Sequence, residues 1–207
     1  MEKTSFKGSA MLNPVPVALI TTKNNEKTNV FTVGWIGTAC TKPPIISIAI
    51  RPERLSFHYL KDNPELVVNL PSNNLVKLVD YCGVRSGKTN DKIKECNFTL
   101  KDSNEISVPY IEQCPINLEC KVINILPLGT HHLFLCEVLC TNINDELIDQ
   151  KGKIHFEKAN LISYSHGEYY ALPQKSLGKF GFSVQKKKKK RSLIDNFYYV
   201  IKASCIH

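Results

Sequence analysis

Short apolar runs broken by turn residues dominate the chain, and their spacing is that of β-strands. Residues 15–22 are apolar and β-branched, and the polar cluster at 23–27 ends them; residues 29–35 return, so a hairpin is expected. Pro43-Pro44 opens a third run, 45–50, with the alternation of a barrel strand. Ser56 is placed to cap a short helix over 57–61, which Asp62-Asn63-Pro64 would stop. Residues 66–70 read as a strand, and Ser72 as the cap of a helix with Leu75, Leu78, Val79 and Cys82 on one face. Long runs at 116–126 and 133–143 flank Pro127-Leu128-Gly129, the expected turn of an antiparallel pair. A last short pair, 161–164 and 169–172, brackets His166-Gly167.

Six or seven strands with only short helices between them predict a mainly β fold, a closed or nearly closed antiparallel barrel. A doubly wound sheet needs crossover helices after most strands, and the pattern has none to spare. With 207 residues the chain is long enough to close such a barrel around one core. The expected division is a barrel domain over 1–185 and a lysine-rich tail over 186–207.

Charge sharpens that division. The net charge is +8, and Lys186 to Lys190 with Arg191 supply six of the eight. Beyond them Lys202 offsets Asp195, so residues 1–185 carry only +2 and give no electrostatic case for binding nucleic acid. The tail reads as disordered or non-native, an addition by frame slip over a repetitive coding stretch; the alternative is a basic tail for anionic membranes or nucleic acid. Residues 1–10 hold charges of both signs and no apolar stretch, so no signal peptide is expected, and no window is long enough for a membrane span. Eight cysteines without a C-x-x-C pair or an export signal read as reduced thiols of a cytoplasmic protein. Cys136 and Cys140, four apart in one strand, are expected on the same face.

Familiar catalytic and cofactor signatures are missing: there is no G-x-G-x-x-G after a strand, Walker loop, H-E-x-x-H or G-x-S-x-G. No metal site is expected either, because His131 and His132, adjacent in a strand, point to opposite faces. On local pattern alone the chain is a soluble barrel without an assigned chemistry.

Several longer stretches, taken in order, change this. They are Pro14-Val15-Pro16-Val17-Ala18-Leu19-Ile20-Thr21-Thr22, Asn29-Val30-Phe31-Thr32-Val33-Gly34-Trp35 and Pro43-Pro44-Ile45-Ile46-Ser47-Ile48. Arg51-Pro52-Glu53-Arg54-Leu55-Ser56, the strand at 66–70, Ser86-Gly87 with Asp91-Lys92, and His131-His132-Leu133-Phe134-Leu135-Cys136-Glu137-Val138 follow. Together they resemble the flavin reductase-like family, its flavoredoxin branch most of all. The family glycine before Glu-Val is here Cys136, which adds bulk where strands approach closely.

The resemblance implies a split β-barrel, Greek-key and antiparallel with short peripheral helices, that binds FMN and forms a homodimer with the flavin near the subunit interface. It implies NADH or NADPH, or a redox protein, as electron donor. A non-catalytic FMN carrier and a cofactor-less barrel acting through its basic tail are the alternatives. Asn29, Phe31, Thr32, Trp35 and Thr38 would face the ring, and Cys40 lies where the family approaches it. Arg51, Arg54, Ser56, Ser86 and Lys92 would hold the phosphate or the flavin. His131 would be the proton or hydrogen-bond partner of the flavin, its catalytic residue, and Tyr164 would cover the ring edge. Without the resemblance, Trp35 is a core tryptophan, Cys40 a small buried hydrophobe and Lys92 part of a solvated loop.

Overall fold

The computed structural model describes residues 1–25, 27–173 and 175–185. The chain divides into two compact units, Met1–Gln174 and Lys175–His207. The second contributes a 3₁₀ turn at Phe182–Val184 among its described residues. The expected tail at 186–207 lies outside the described residues. Among the described residues, no helix is long and apolar enough to cross a membrane.

The first unit is built on strands. In chain order they are β1 (Val15–Pro16), β2 (Ala18–Asn24), β3 (Lys27–Val33), β4 (Ile36–Thr41) and β5 (Pro44–Ile50). Helix α1 (Leu55–Asp62), β6 (Glu65–Leu70), α2 (Val76–Val84) and α3 (Lys92–Glu95) follow. Then come β7 (Leu100–Lys101), β8 (Tyr110–Ile111), β9 (Ile116–Leu128), β10 (His131–Ile143), β11 (Ile162–Ser165) and β12 (Glu168–Ala171). Seven strands form one antiparallel sheet in the order β3-β2-β6-β9-β10-β5-β4, and β1, β11 and β12 form a smaller one. This is the mainly β, split-barrel class that the strand pattern and the resemblance predict.

Alternation explains how the sheet curls around its core. Ala18 and Ile20 of β2, Phe31 and Val33 of β3, Ile48 and Ile50 of β5, Leu66 and Val68 of β6, and Phe134 of β10 all point into one cluster, with Phe57 and Leu60 of α1. The opposite face of β2 and β3 is buried too. Leu19 and Val30 pack there with Val79 and Cys82 of α2, Cys96, and Ile162 of β11. Extra residues at Ile123 in β9 and Leu139 in β10 shift the register of the long hairpin, and such bulges bend a strand and increase its twist.

Those bulges overturn one expectation. Cys136 pairs with Val122 and is buried in the barrel core, whereas Cys140 pairs with Glu119 beyond the Leu139 bulge. The bulge reverses the alternation, so the two thiols face opposite sides. Cys136 itself is accommodated, fully buried in the core. Helix α1 also begins differently. Its N-cap is Arg54, with extended backbone, and Ser56 lies inside the first turn, fully buried. Its hydroxyl is drawn inward by Thr22 Oγ1 and Asn29 Nδ2, each 2.8 Å away. Ser72 does stand at the N-cap of the 3₁₀ turn leading to α2, but its hydroxyl meets Asn74 Oδ1, at 2.5 Å, rather than a helix N–H. The β9–β10 turn falls at Gly129-Thr130, where Gly129 takes φ +74°.

Candidate functional site

A cleft opens where β3 ends and β5 runs into α1. Its first part, about 510 Å³, is lined by Phe31, Thr32 and Val33 of β3, then Gly34 and Trp35 at the corner into β4. Ala49, Ile50, Arg51, Arg54, Gly83, His131, Tyr164 and Tyr169 complete it with Val17. A second part, about 320 Å³, shares Phe31, Arg51 and Arg54 and continues past Asn29, Ser56, Arg85, Ser86, Gly87 and Lys92. The shared residues make the two parts one groove.

Backbone register brings the pieces together. His132 pairs with Ile50, so His131 comes beside Arg51 at the strand ends. Ala49 donates its N–H to Trp35 O at 2.9 Å, pinning the corner that carries the indole. Trp35 is half exposed, at 50%, and its ring lies 4.6 Å from His131, tilted by 46°. It is therefore not the core tryptophan that burial statistics would suggest. Tyr164 and Tyr169 pair across the β11–β12 hairpin and meet edge to face at 5.5 Å, forming another aromatic wall.

The two ends differ in electrostatics. At the aromatic end, partial burial and then the Arg51 charge lower the pKa of His131, which favours neutral imidazole. Its Nδ1 lies 3.0 Å from Thr130 Oγ1. At the other end Arg51, Arg54, Arg85 and Lys92 face one carboxylate, Glu53, whose 3.5 Å pair with Arg51 is exposed. Lys92 is buried, not part of a solvated loop, and burial lowers its pKa. Its Nζ donates to Cys82 O and Arg85 O, each at 3.2 Å, leaving a third donor. Such an end attracts an anion, whereas the aromatic end offers flat apolar faces.

Eleven of the residues expected from the sequence line this groove: Asn29, Phe31, Thr32, Trp35, Arg51, Arg54, Ser56, Ser86, Lys92, His131 and Tyr164. Some of their polar atoms already have work in the fold. Thr32 Oγ1 donates to Val79 O at 2.5 Å, and Ser56 is held by Thr22 and Asn29. Thr38 and Cys40 are not among the lining residues. They lie on edge strand β4, where Cys40 Sγ approaches Lys42 O at 3.4 Å, and the extra residue at Ala39 breaks the register between them. Sequence reasoning missed Arg85, Gly83 and Tyr169. Arg85 immediately precedes the Ser-Gly pair, and counting back from the His166-Gly167 turn sets Tyr169 opposite Tyr164.

The barrel and its groove have relatives among known proteins. Residues 11–172 match the family described as flavin reductase like domain, and the chain belongs to that family. Its fold superposes on flavoredoxin of Desulfovibrio vulgaris (Miyazaki F) with a TM-score of 0.82 at 22% identity, over 89% of this chain and 100% of that one. Flavoredoxin from Methanosarcina acetivorans gives 0.79 at 25% identity, with the same coverage of 89% and 100%. The FMN reductase (NADH) RutF of Serratia proteamaculans is 23% identical over 160 residues, 76% of this chain and 86% of that protein.

Proposed function

We propose that the chain is an FMN-binding flavoprotein that takes electrons from NADH or NADPH, or from a redox protein, and passes them to an acceptor. One observation carries the reading: a single groove joins the aromatic end at Trp35, His131 and Tyr164 to the cationic end at Arg51, Arg54, Arg85 and Lys92. FMN has the matching form, a planar apolar ring at one end and a phosphate of nearly two negative charges at the other. When bound, it supplies redox chemistry that the side chains do not.

The chain's own residues bind and orient. Arg54 and Lys92 offer charge-assisted donors to the phosphate, and the partial burial of Arg54 and full burial of Lys92 strengthen each contact. Trp35 presents an open indole face to the ring, and Tyr164 closes its edge against water. His131, kept neutral, gives or accepts a hydrogen bond through Nε2 while Thr130 holds the other side of the ring. The kinship with flavin reductases and the likeness to flavoredoxins support this reading. Exposed Ile123, Leu126 and Leu139 on the β9–β10 surface support a homodimer, and the free cysteines support a cytoplasmic location.

The visible spectrum of protein purified without added flavin, followed by anaerobic NADH, tests the proposal. A flavin spectrum that bleaches marks a nicotinamide-linked reductase. One that persists until a reductase is added marks an electron carrier. Colourless protein that takes up no added FMN contradicts both.

A further inference from the structure

Two cysteines meet directly behind the cationic end of the groove. Cys82 lies in the last turns of α2 and Cys96 at the C-cap of α3, and their Sγ atoms are 3.8 Å apart in hydrogen-bond contact. Cys82 is fully buried and Cys96 is 6% exposed. The segment between them contributes Arg85, Ser86, Gly87 and Lys92 to the groove. Lys92 Nζ also donates to the backbone carbonyl of Cys82. The sulfur pair therefore stands at the neck of the loop that presents these cations.

Buried cysteines are ordinarily small apolar filler. This pair is placed for more. Its sulfurs need to close from 3.8 Å to the roughly 2.05 Å of a disulfide, and both sit at helix ends rather than in the middle of strands. Burial pushes both thiols up, so thiolate is scarce, while the Lys92 ammonium opposes that effect at each sulfur.

We propose that Cys82 and Cys96 are a modification site: a small peroxide oxidises them to an intramolecular disulfide that staples the neck of this loop and slows release of the anionic ligand. Cys96, the more accessible sulfur, attacks one peroxide oxygen as thiolate. The O–O bond breaks, and the departing hydroxide takes up a proton to leave as water. The Cys82 sulfur then displaces the hydroxyl from the Cys96 sulfenic acid; the S–O bond breaks, the S–S bond forms and a second water leaves. Two thiols lose two electrons and two protons, and one hydrogen peroxide becomes two waters. Burial makes the reaction slow, and a dithiol reductant reverses it.

The effect on release follows from the closed loop. A ligand held by Arg85 and Lys92 leaves when their segment opens, and a cross-link from 82 to 96 removes open conformations. This consequence rests on the flavin reading; the disulfide itself does not.

The test treats the folded, flavin-loaded protein with hydrogen peroxide, alkylates the remaining thiols and digests with trypsin. Residues 78–85 and 95–101 emerge as separate tryptic peptides, each with one cysteine. We expect them linked in the oxidised protein, released by a dithiol reductant, and unlinked in Cys82→Ser. We also expect FMN to dissociate several-fold more slowly from the oxidised protein than from the same sample re-reduced. Peptides that stay unlinked while other cysteines oxidise overturn the site, and comparison within the wild type needs no variant to fold. A linked pair with unchanged FMN release overturns its control of the ligand. Protein that takes up no FMN but forms the link defeats the flavin reading and upholds the modification site.

Discussion

Arg54 lines the aromatic and the cationic part of the groove alike, as Phe31 and Arg51 do. A charge-assisted hydrogen bond to a phosphate is worth about 1.5–3 kcal/mol. Arg54→Ala is therefore expected to weaken FMN binding by about 10- to 100-fold. Riboflavin, which lacks the phosphate, should lose far less. Equal losses for both flavins would show that Arg54 shapes the ring site instead. A second residue-scale prediction concerns His155, clamped between Asp149 Oδ2 at 2.9 Å and Glu157 Oε1 at 2.7 Å. Its bond to Asp149, then that to Glu157, raises the histidine pKa above 6.5, and Asp149 is held down at about 2. The histidine contribution is complete below its unfolded value and fades as pH rises through the raised folded one. The Asp149 contribution is present above its unfolded value of 3.8 and is lost as pH falls toward about 2. His155→Gln should thus lower the melting temperature most near about pH 5, the gap narrowing in alkali. A gap that widens in alkali would reverse this account.

At the scale of elements, the groove depends on how closely the segment before α3 approaches β3. A Cβ at Gly87 would stand 2.2 Å from Asn29 Oδ1, and Asn29 is buried and tied to Ser56 Oγ. Gly87→Ala is expected to push this segment outward and weaken FMN binding about tenfold, the effect of losing about 1.4 kcal/mol. In an Asn29→Ala background the same change should cost much less, because the obstacle is gone. Equal costs in both backgrounds would place the defect elsewhere. The sequence made most strands legible, since apolar alternation at 45–50 and 116–126 survives in β5 and β9. It concealed β4, whose Gly37, Thr38, Ala39 and Cys40 form no apolar run because an exposed edge needs none. It also misplaced Cys140, because nothing local announces the Leu139 bulge. Trp35, Arg51 and His131 were legible as site candidates through family motifs. Arg85 and Tyr169 became legible only when pairing and helix ends were fixed.

For the molecule as a whole, the barrel supplies rigidity and the groove borrows it. Phe31 joins the two directly, a β3 residue buried in the barrel core that also lines both parts of the groove. Lys92 is held on helix-end carbonyls, and Trp35 is pinned through its backbone to β5. A site ordered in this way loses little freedom when its ligand arrives. It should therefore discriminate by phosphate as well as by ring. The most direct measurement is a titration of the flavin-free protein with FMN and with riboflavin, followed by quenching of flavin fluorescence. Saturable binding of one FMN per chain is expected, at least about tenfold tighter than riboflavin because the cationic end is engaged. No saturable binding of either flavin, or equal affinity for the two, would contradict this expectation.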